Sequence, residues 1–347
     1  MIEVRPTRLR PTWFFIGAAC LLVAVVTGVL VGPVSLNTTA VVRDIADGLP
    51  FVEVSSGLNE QQSAILWELR MPRVVLAGLV GAMLSLAGAA YQGVFRNPLA
   101  DPYLLGVAAG AGLGATVAIA YLPSATTWPV DPVPLAAFAG ALVGVTLTYV
   151  LGRASWRGRT TATLILAGVA TASFLTALQT YFQQREDETL RQVYTWILGR
   201  LTTANWSEVG LVLPYVVLSC AAILLHRRLL DVLSVGDEEA DSLGVDTKRV
   251  RLVVVVAASL GTAAAVAVSG LIGFVGVIIP HTVRLLFGSS YRLVIPLSIV
   301  FGATFLILAD LVGRTLIAPA EIPIGVITAF LGAPFFLVVL SRSGKSA

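Results

Sequence analysis

The stretch RNPLADPYLLG, residues 96–106, places an arginine, an asparagine, an aspartate and two prolines between two long apolar segments. Pro98 and Pro102 lack a backbone N–H and disfavour the helical conformation in the residues before them, Asn97 and Asp101. Asn and Asp side chains also bond to nearby backbone groups in turns. The stretch therefore predicts a rigid, non-helical turn between two helices.

The remainder of the chain has the composition of a membrane protein. Of its 347 residues, 56% are hydrophobic and 12% are charged, whereas an ordinary soluble domain has about 25% charged residues. Apolar runs of roughly 20 residues, enough for one helix to cross a bilayer, recur along the chain. We therefore predict one all-α, polytopic membrane domain over residues 1–347 with about ten transmembrane helices. The predicted spans are 12–31, 64–92, 102–123, 132–151, 161–183, 208–228, 250–270, 273–288, 292–316 and 322–341.

The sequence argues against several classes of site and partner. Cys20 and Cys220 both lie in apolar runs, where a thiol behaves as a small hydrophobe. With two histidines and no cluster of carboxylates, we expect no metal site and no cofactor. The net charge of +3 comes from basic residues scattered over loops, so nucleic acid is not indicated as a partner.

Lysine and arginine residues concentrate in alternate loops of the ten-span map. Such loops face the cytoplasm in membrane proteins, so the sequence predicts two cytoplasmic termini in the plasma (inner) membrane of a prokaryote. The longer loops 32–63 and 184–207 then face outward, and the 96–101 turn faces inward. The basic residues predicted inside are Arg5, Arg8, Arg10, Arg96, Arg153, Arg157, Arg159, Arg227, Arg228, Lys248, Arg249, Arg251, Arg292, Arg342 and Lys345.

Six stretches in order along the chain resemble one transport family. They are WELRMPRVVLAGLVGAMLSLAG (67–88), RNPLADPYLLGVAAGAGLGA (96–115), LILAGVA (164–170), LSVGDEEADSLGV (233–245), GFVGVIIPHTVRL (273–285) and AEIPIGVITAFLGAPFF (320–336). Together they resemble the iron-siderophore, haem and cobalamin permeases of the FecCD family. This resemblance implies the type II ABC importer permease fold, with ten helices per chain and a second permease subunit in a homodimer or close heterodimer. It also implies two ABC ATPase subunits inside and a periplasmic or extracellular substrate-binding protein outside.

The resemblance also implies roles for particular residues. Asn97 and Leu99 would form a cytoplasmic gate, with Thr161 and Ala162 as its second element. In the loop about 229–248, which reads as two short amphipathic helices, the segment around DEE (237–239) would couple the permease to the ATPase. From the residues alone, DEE is equally an acidic, solvated first helical turn. The coupling candidates are Gly236, Glu238, Ala240 and Gly244.

Three arginines fall on the predicted outer side of the membrane, where basic residues are disfavoured: Arg70, Arg73 and Arg314. Arginines near a helix end can extend to the membrane interface or cap backbone carbonyls. The resemblance instead implies that they bind acidic residues of the substrate-binding protein. A guanidinium suits that role because it binds carboxylates bidentately and stays charged.

We therefore expect the permease subunit of an ATP-driven importer that moves a metal chelate by alternating access. A ferric siderophore is the first expectation, with haem and cobalamin as alternatives. The chain is not expected to be an enzyme: its terminal SGKSA lacks the first glycine of a phosphate-binding loop, because Val339 occupies that position. The alternative is an ion-coupled secondary transporter. Such proteins usually carry ionisable residues within their spans, and Asp310 is the main one here.

Overall fold

The computed structural model describes residues 10–47, 57–122, 131–154 and 161–343, and these ranges form helices joined by short connections, with no β-strand. The helices are α1 Pro11–Leu30, α2 Thr38–Asp47, α3 Glu60–Ala64, α4 Met71–Phe95, α5 Val107–Tyr121, α6 Pro132–Ala154, α7 Thr161–Arg185, α8 Leu190–Ile197, α9 Trp206–Leu233, α10 Asp237–Ser242, α11 Thr247–Ser269, α12 Val275–Phe287, α13 Tyr291–Thr315 and α14 Ile324–Ser343. A π-helical turn, Ile65–Arg70, makes α3 and α4 one continuous helix, and 3-10 turns occupy Pro102–Leu105 and Asp187–Thr189.

The predicted all-α membrane fold is confirmed. Seven helical segments of the described chain are long and apolar enough to cross a membrane, namely α1, the continuous helix 60–95, α6, α7, α9, α11 and α13. Shorter apolar helices are α5, α12 and residues 324–339 of α14. Each of these ten segments overlaps one predicted span. The third span was predicted to begin at residue 102, but its helix begins at Val107 because the 3-10 turn and the left-handed Gly106 (φ 78°) precede it.

Helix α4 lies at the centre of the bundle, where it packs against α9, α11, α12 and α13. Glycines bring its backbone into contact with two neighbours. A Cβ on Gly81 would collide with the carbonyl oxygen of Gly302 in α13, and a Cβ on Gly88 would collide with that of Gly276 in α12. Small residues of this kind allow the close backbone approach that membrane helices use for association.

A second group, α5, α6 and α7, packs against this centre through α11. The same chemistry joins α5 to α6, because added Cβ atoms on Gly110 and Gly114 would collide with the carbonyl oxygens of Gly140 and Ala136. The largest share of the buried core therefore lies around α4 and α11, with the α5–α7 group beside it.

The connections lie at two ends of the bundle, as an alternation of spans requires. End A carries the turns 96–101, 234–236 and 288–290. Asp231, near the end of α9, is joined to the last of these by accepting from the Tyr291 N–H (2.6 Å). End B carries the segments 31–37, 198–205 and 316–323. There the Gly325 N–H donates to the carbonyl of Leu198 (3.0 Å).

Candidate functional site

The 96–101 turn at end A is the non-helical elbow that its prolines predict. The Arg96 and Asn97 N–H groups donate to the carbonyls of Gly93 and Gln92 (3.4 and 3.2 Å). This pair of hydrogen bonds is found at the end of many helices. Arg96 itself is left-handed (φ 49°, ψ 37°), a conformation in which glycine is the usual residue. The Asn97 Oδ1 then accepts from the Leu99 N–H (2.9 Å), which closes the turn.

Contacts to the start of α12 and to the segment before it hold this turn in place. The buried Gln92 side chain donates to the carbonyls of Gly276 (3.1 Å) and Ala100 (3.4 Å). Beyond the turn, the Tyr103 hydroxyl donates to the Ile272 carbonyl (2.9 Å) and accepts from the Ile272 N–H (3.0 Å). The predicted gate residue Leu99 remains 43% exposed between these anchors. The turn therefore presents an exposed apolar side chain on a firmly bonded backbone.

The second predicted gate element lies at the start of α7. Thr161 begins this helix and Ala162 is exposed, whereas the Thr161 side chain and residues 155–160 lie outside the described part of the chain. The 3-10 turn after the 96–101 turn packs on α7, since a Cβ on Gly168 would collide with the Leu104 carbonyl oxygen. Helix α7 and the turn are thus neighbours through the 102–105 segment.

The predicted coupling segment contains one short helix. The prediction of two amphipathic helices over 229–248 was wrong, because α9 continues through Leu233 and only α10 follows. Gly236 (φ 140°) and Gly244 (φ 79°) flank α10 in conformations that favour glycine. Of the four predicted contact residues, Glu238 and Gly244 are exposed, whereas Gly236 and Ala240 are buried.

Sequence reasoning missed two exposed apolar side chains beside α10. Val235 is 61% exposed and Leu243 is 68% exposed, one before and one after the helix. A pair of exposed apolar residues that flanks an acidic helix is a surface suited to contact with another protein. No periodic pattern in the sequence predicted their exposure, because α10 is only six residues long.

An ion cluster ties α10 to its surroundings. The Asp237 carboxylate accepts from both terminal nitrogens of Arg251 (2.5 and 2.8 Å), and its Oδ1 lies 3.2 Å from Nη2 of Arg96. The hydrogen bonds from Arg251 and the charges of both arginines hold the pKa of Asp237 below its usual range. Asp237 is therefore ionised at neutral pH and joins α10 to both α11 and the 96–101 turn.

The three arginines predicted for docking gather at end B, where each has partners within this chain. Arg73 donates from Nε and Nη2 to the Asp310 carboxylate (3.0 and 2.8 Å), and from Nη1 and Nη2 to Glu321 (3.0 and 2.9 Å). Arg70 donates to the carbonyls of Val29 and Leu30 (both 3.0 Å).

Arg314 is also engaged and buried: it donates to the Gly28 carbonyl, and its Nε lies 3.7 Å from Asp310. Two of the three arginines therefore cap carbonyls, which is the alternative that the sequence left open, and the third is held by two carboxylates. Their docking to a binding protein stays a prediction. In this arrangement, the guanidinium groups connect the end of α1 to α13 and to the segment before α14.

A second ion cluster at end B was not predicted. Arg200 Nη2 lies 2.9 Å from Glu208 and 3.3 Å from Asp131, so it connects the starts of α9 and α6. The ring of His281 contacts the ring of Phe335 edge-on, with 5.7 Å between the ring centroids.

Comparison with known proteins decides the family. A model of the FecCD transport family matches residues 20–342. The chain belongs to the FecCD transport family. Like other FecCD chains, it is the membrane permease of a metal-chelate ABC importer, a multi-pass protein whose family implies ATPase and substrate-binding partners.

Two FecCD relatives illustrate the range of the family. The uncharacterized ABC transporter permease protein YvrB of Bacillus subtilis is 40% identical over 346 residues, 99% of this chain and 97% of the relative. The cobalamin import system permease protein BtuC of Halobacterium salinarum is 41% identical over 88% of this chain and 83% of the relative. Other relatives are named as permeases for hemin, iron(3+)-citrate and iron(3+)-hydroxamate.

A solved structure shares the FecCD architecture described above. It is an inward-facing conformation of an ABC transporter assigned to the metal-chelate type, with a TM-score of 0.82 and 30% identity over 96% of this chain and 100% of that chain. The helical arrangement is therefore the type II ABC permease fold, as predicted.

The ion cluster at end B that contains Asp310 gives a prediction for stability. Replacing Asp310 with alanine should lower the free energy of unfolding by about 3–5 kcal/mol, because the buried guanidinium groups of Arg73 and Arg314 lose a carboxylate. The control is Arg292→Ala, which removes an exposed pair with Asp231 (3.5 Å) and should cost at most about 1 kcal/mol. Denaturant unfolding in detergent measures both. Equal losses of unfolding free energy in the two variants would contradict a stabilising role for this cluster.

Proposed function

We propose that this chain imports a metal chelate by alternating access, driven by ATP that two partner ATPases hydrolyse inside the cell. End A faces the cytoplasm in this proposal, with both termini inside, and a substrate-binding protein docks at end B of a homodimer. The observation that carries the proposal is the surface formed by α10 and the residues beside it, where Val235, Glu238 and Leu243 are exposed and suited to contact with another protein. The chain itself supplies no catalytic residue in this scheme.

The 96–101 turn acts as the inner gate in this proposal. Leu99 is exposed at end A, and the hydrogen bonds of Asn97, Gln92 and Tyr103 keep the surrounding backbone in one shape. A bonded turn moves as a unit when the helices beneath it shift, which suits a gate that alternates between two packings. Thr161 and Ala162, at the start of α7, are the proposed second element.

The cargo proposed first is a ferric siderophore, because several relatives are named for iron chelates. Cobalamin is the second candidate, since the relative that is named for cobalamin import is 41% identical to this chain. Haem is a third, on the likeness to the hemin permease. All three cargoes are large metal chelates, so one mechanism serves each of them.

An ion-coupled secondary transporter is the alternative, and the pairing of charges argues against it. Proton or sodium carriers use ionisable groups in their spans that exchange the ion. Asp310 in α13 is instead held by both Arg73 and Arg314, and Glu208 at the start of α9 is held by Arg200. Carboxylates fixed by guanidinium groups are poorly suited to pick up and release an ion.

Reconstitution tests the proposed function. The permease, its ATPases and its binding protein are placed in proteoliposomes, and uptake of cyanocobalamin, hemin, ferric citrate and a ferric hydroxamate is measured. We expect uptake of at least one chelate with ATP on the ATPase side. A proton or sodium gradient without ATP should give none. Gradient-driven uptake by the permease alone would support the secondary transporter instead.

The coupling role of α10 has its own test at Gly244, where a Cβ would meet nothing within 4 Å. Gly244→Leu adds bulk to the proposed ATPase contact, so uptake per ATP hydrolysed should fall severalfold. The control is Gly57→Leu at end B, because Gly57 has nearly the same backbone angle (φ 73° against 79°) and its Cβ would likewise meet no atom of the described residues within 4 Å. Both variants carry the same strain of about 1–2 kcal/mol for a side chain in this conformation. Equal coupling in the two variants would contradict the role of α10.

A further inference from the structure

The Arg96–Asp237 ion pair joins the two parts of end A that the proposed function separates. Arg96 belongs to the 96–101 turn, and Asp237 is the first residue of α10. Their charged atoms lie 3.2 Å apart, although α4 and α10 are distant in sequence. The pair is thus a direct contact between the proposed gate and the proposed ATPase-binding helix.

Asp237 is held in position by a residue other than Arg96. Arg251, in the second turn of α11, donates to both carboxylate oxygens. Such two-point binding fixes the orientation of a carboxylate as well as its place. Arg96 therefore meets an acceptor that is already fixed to α10 and α11, so a displacement of α10 moves the charge that Arg96 follows.

The backbone of Arg96 gives a second, independent observation. It is left-handed (φ 49°) at a position where glycine is the usual residue and where a side chain causes strain. Arginine in this place is unfavourable for the turn alone. Its side chain offsets part of this cost by reaching Asp237, and the remaining cost is consistent with a use for the pair beyond the stability of the turn.

We infer that Arg96 and Asp237 are positioning residues that transmit the movement of α10 to the 96–101 turn. This inference rests on the proposed function, in which α10 contacts the ATPase and Leu99 lies at the gate. Arg251 keeps Asp237 aligned. The link works through charge at a partly exposed site, since the two side chains are 42% and 40% exposed, and so it depends on ionic strength.

The experiment follows the turn and the ATPase separately in the assembled complex. Leu99→Cys is labelled with bimane in a chain that also carries Cys20→Ala and Cys220→Ala, and the change in emission on addition of MgATP is recorded with the rate of ATP hydrolysis. Arg96→Gly is the main variant, because glycine suits the left-handed backbone and should leave the melting temperature unchanged or higher. Arg96→Lys retains the charge, and Arg292→Gln removes a neighbouring ion pair at end A.

We expect Arg96→Gly to keep ATP hydrolysis within about twofold while the emission change falls about two- to fivefold, the range that an exposed ion pair can contribute. Arg96→Lys and Arg292→Gln should respond as the parent does. Raising the salt concentration to about 0.5 M should weaken the response of the parent but not that of Arg96→Gly. Asp237→Asn should lose the response as well, and adding Arg96→Gly to it should cause little further loss.

Two results would overturn the inference. One is a normal emission change in Arg96→Gly, and the other is a joint loss of ATP hydrolysis and emission change, which would give the pair a role in ATPase docking instead. Failure of the proposed function has a different signature. In that case, the parent complex itself shows no ATP-dependent emission change at position 99.

Discussion

Contact between helix backbones is the constraint on which this bundle depends. Helices in a bilayer gain little hydrophobic free energy from association, because lipid tails are as apolar as leucine side chains. Gly81 and Gly88 allow α4 to approach α13 and α12 so closely that a methyl group would collide with their carbonyl oxygens. These contacts fix α4 at the centre of the bundle. The ion clusters lie at the two ends of the bundle.

Helix α4 consequently connects the two regions to which we assign proposed functions. Its first turn carries Arg73, which is held by Asp310 and Glu321, and its last residues lead into Arg96 and the 96–101 turn, the proposed gate. The described helix contains no proline after its first turn, so it lacks the residue that most strongly kinks a helix. A movement at end A would therefore tilt the turn and α4 together, about the cluster of Arg73, Asp310 and Glu321 that holds the other end of the helix.

Much of the fold followed from sequence, and the reasons are physical. Apolar length placed ten helical segments correctly, because bilayer thickness sets the length of a span, and the prolines at 98 and 102 predicted the turn. The pairing of charged side chains could not be predicted from the sequence. Arg73 and Asp310 lie 237 residues apart, and a single sequence has no periodic signal for such a contact. The left-handed arginine was unpredictable for a related reason, since its partner lies on α10, far along the chain.

The stiffness of α4 is the central claim, and a distance within one chain tests it most directly. Spin labels at Val75 and Leu99, both exposed in this structure, report the separation between the start of α4 and the turn. Pulsed electron paramagnetic resonance is recorded on the complex with ATP bound and without nucleotide, with one labelled chain per complex. We predict the same distance distribution in both states. A shift of about 5 Å, the length of one helical turn, would contradict the claim that the turn and α4 move as one unit.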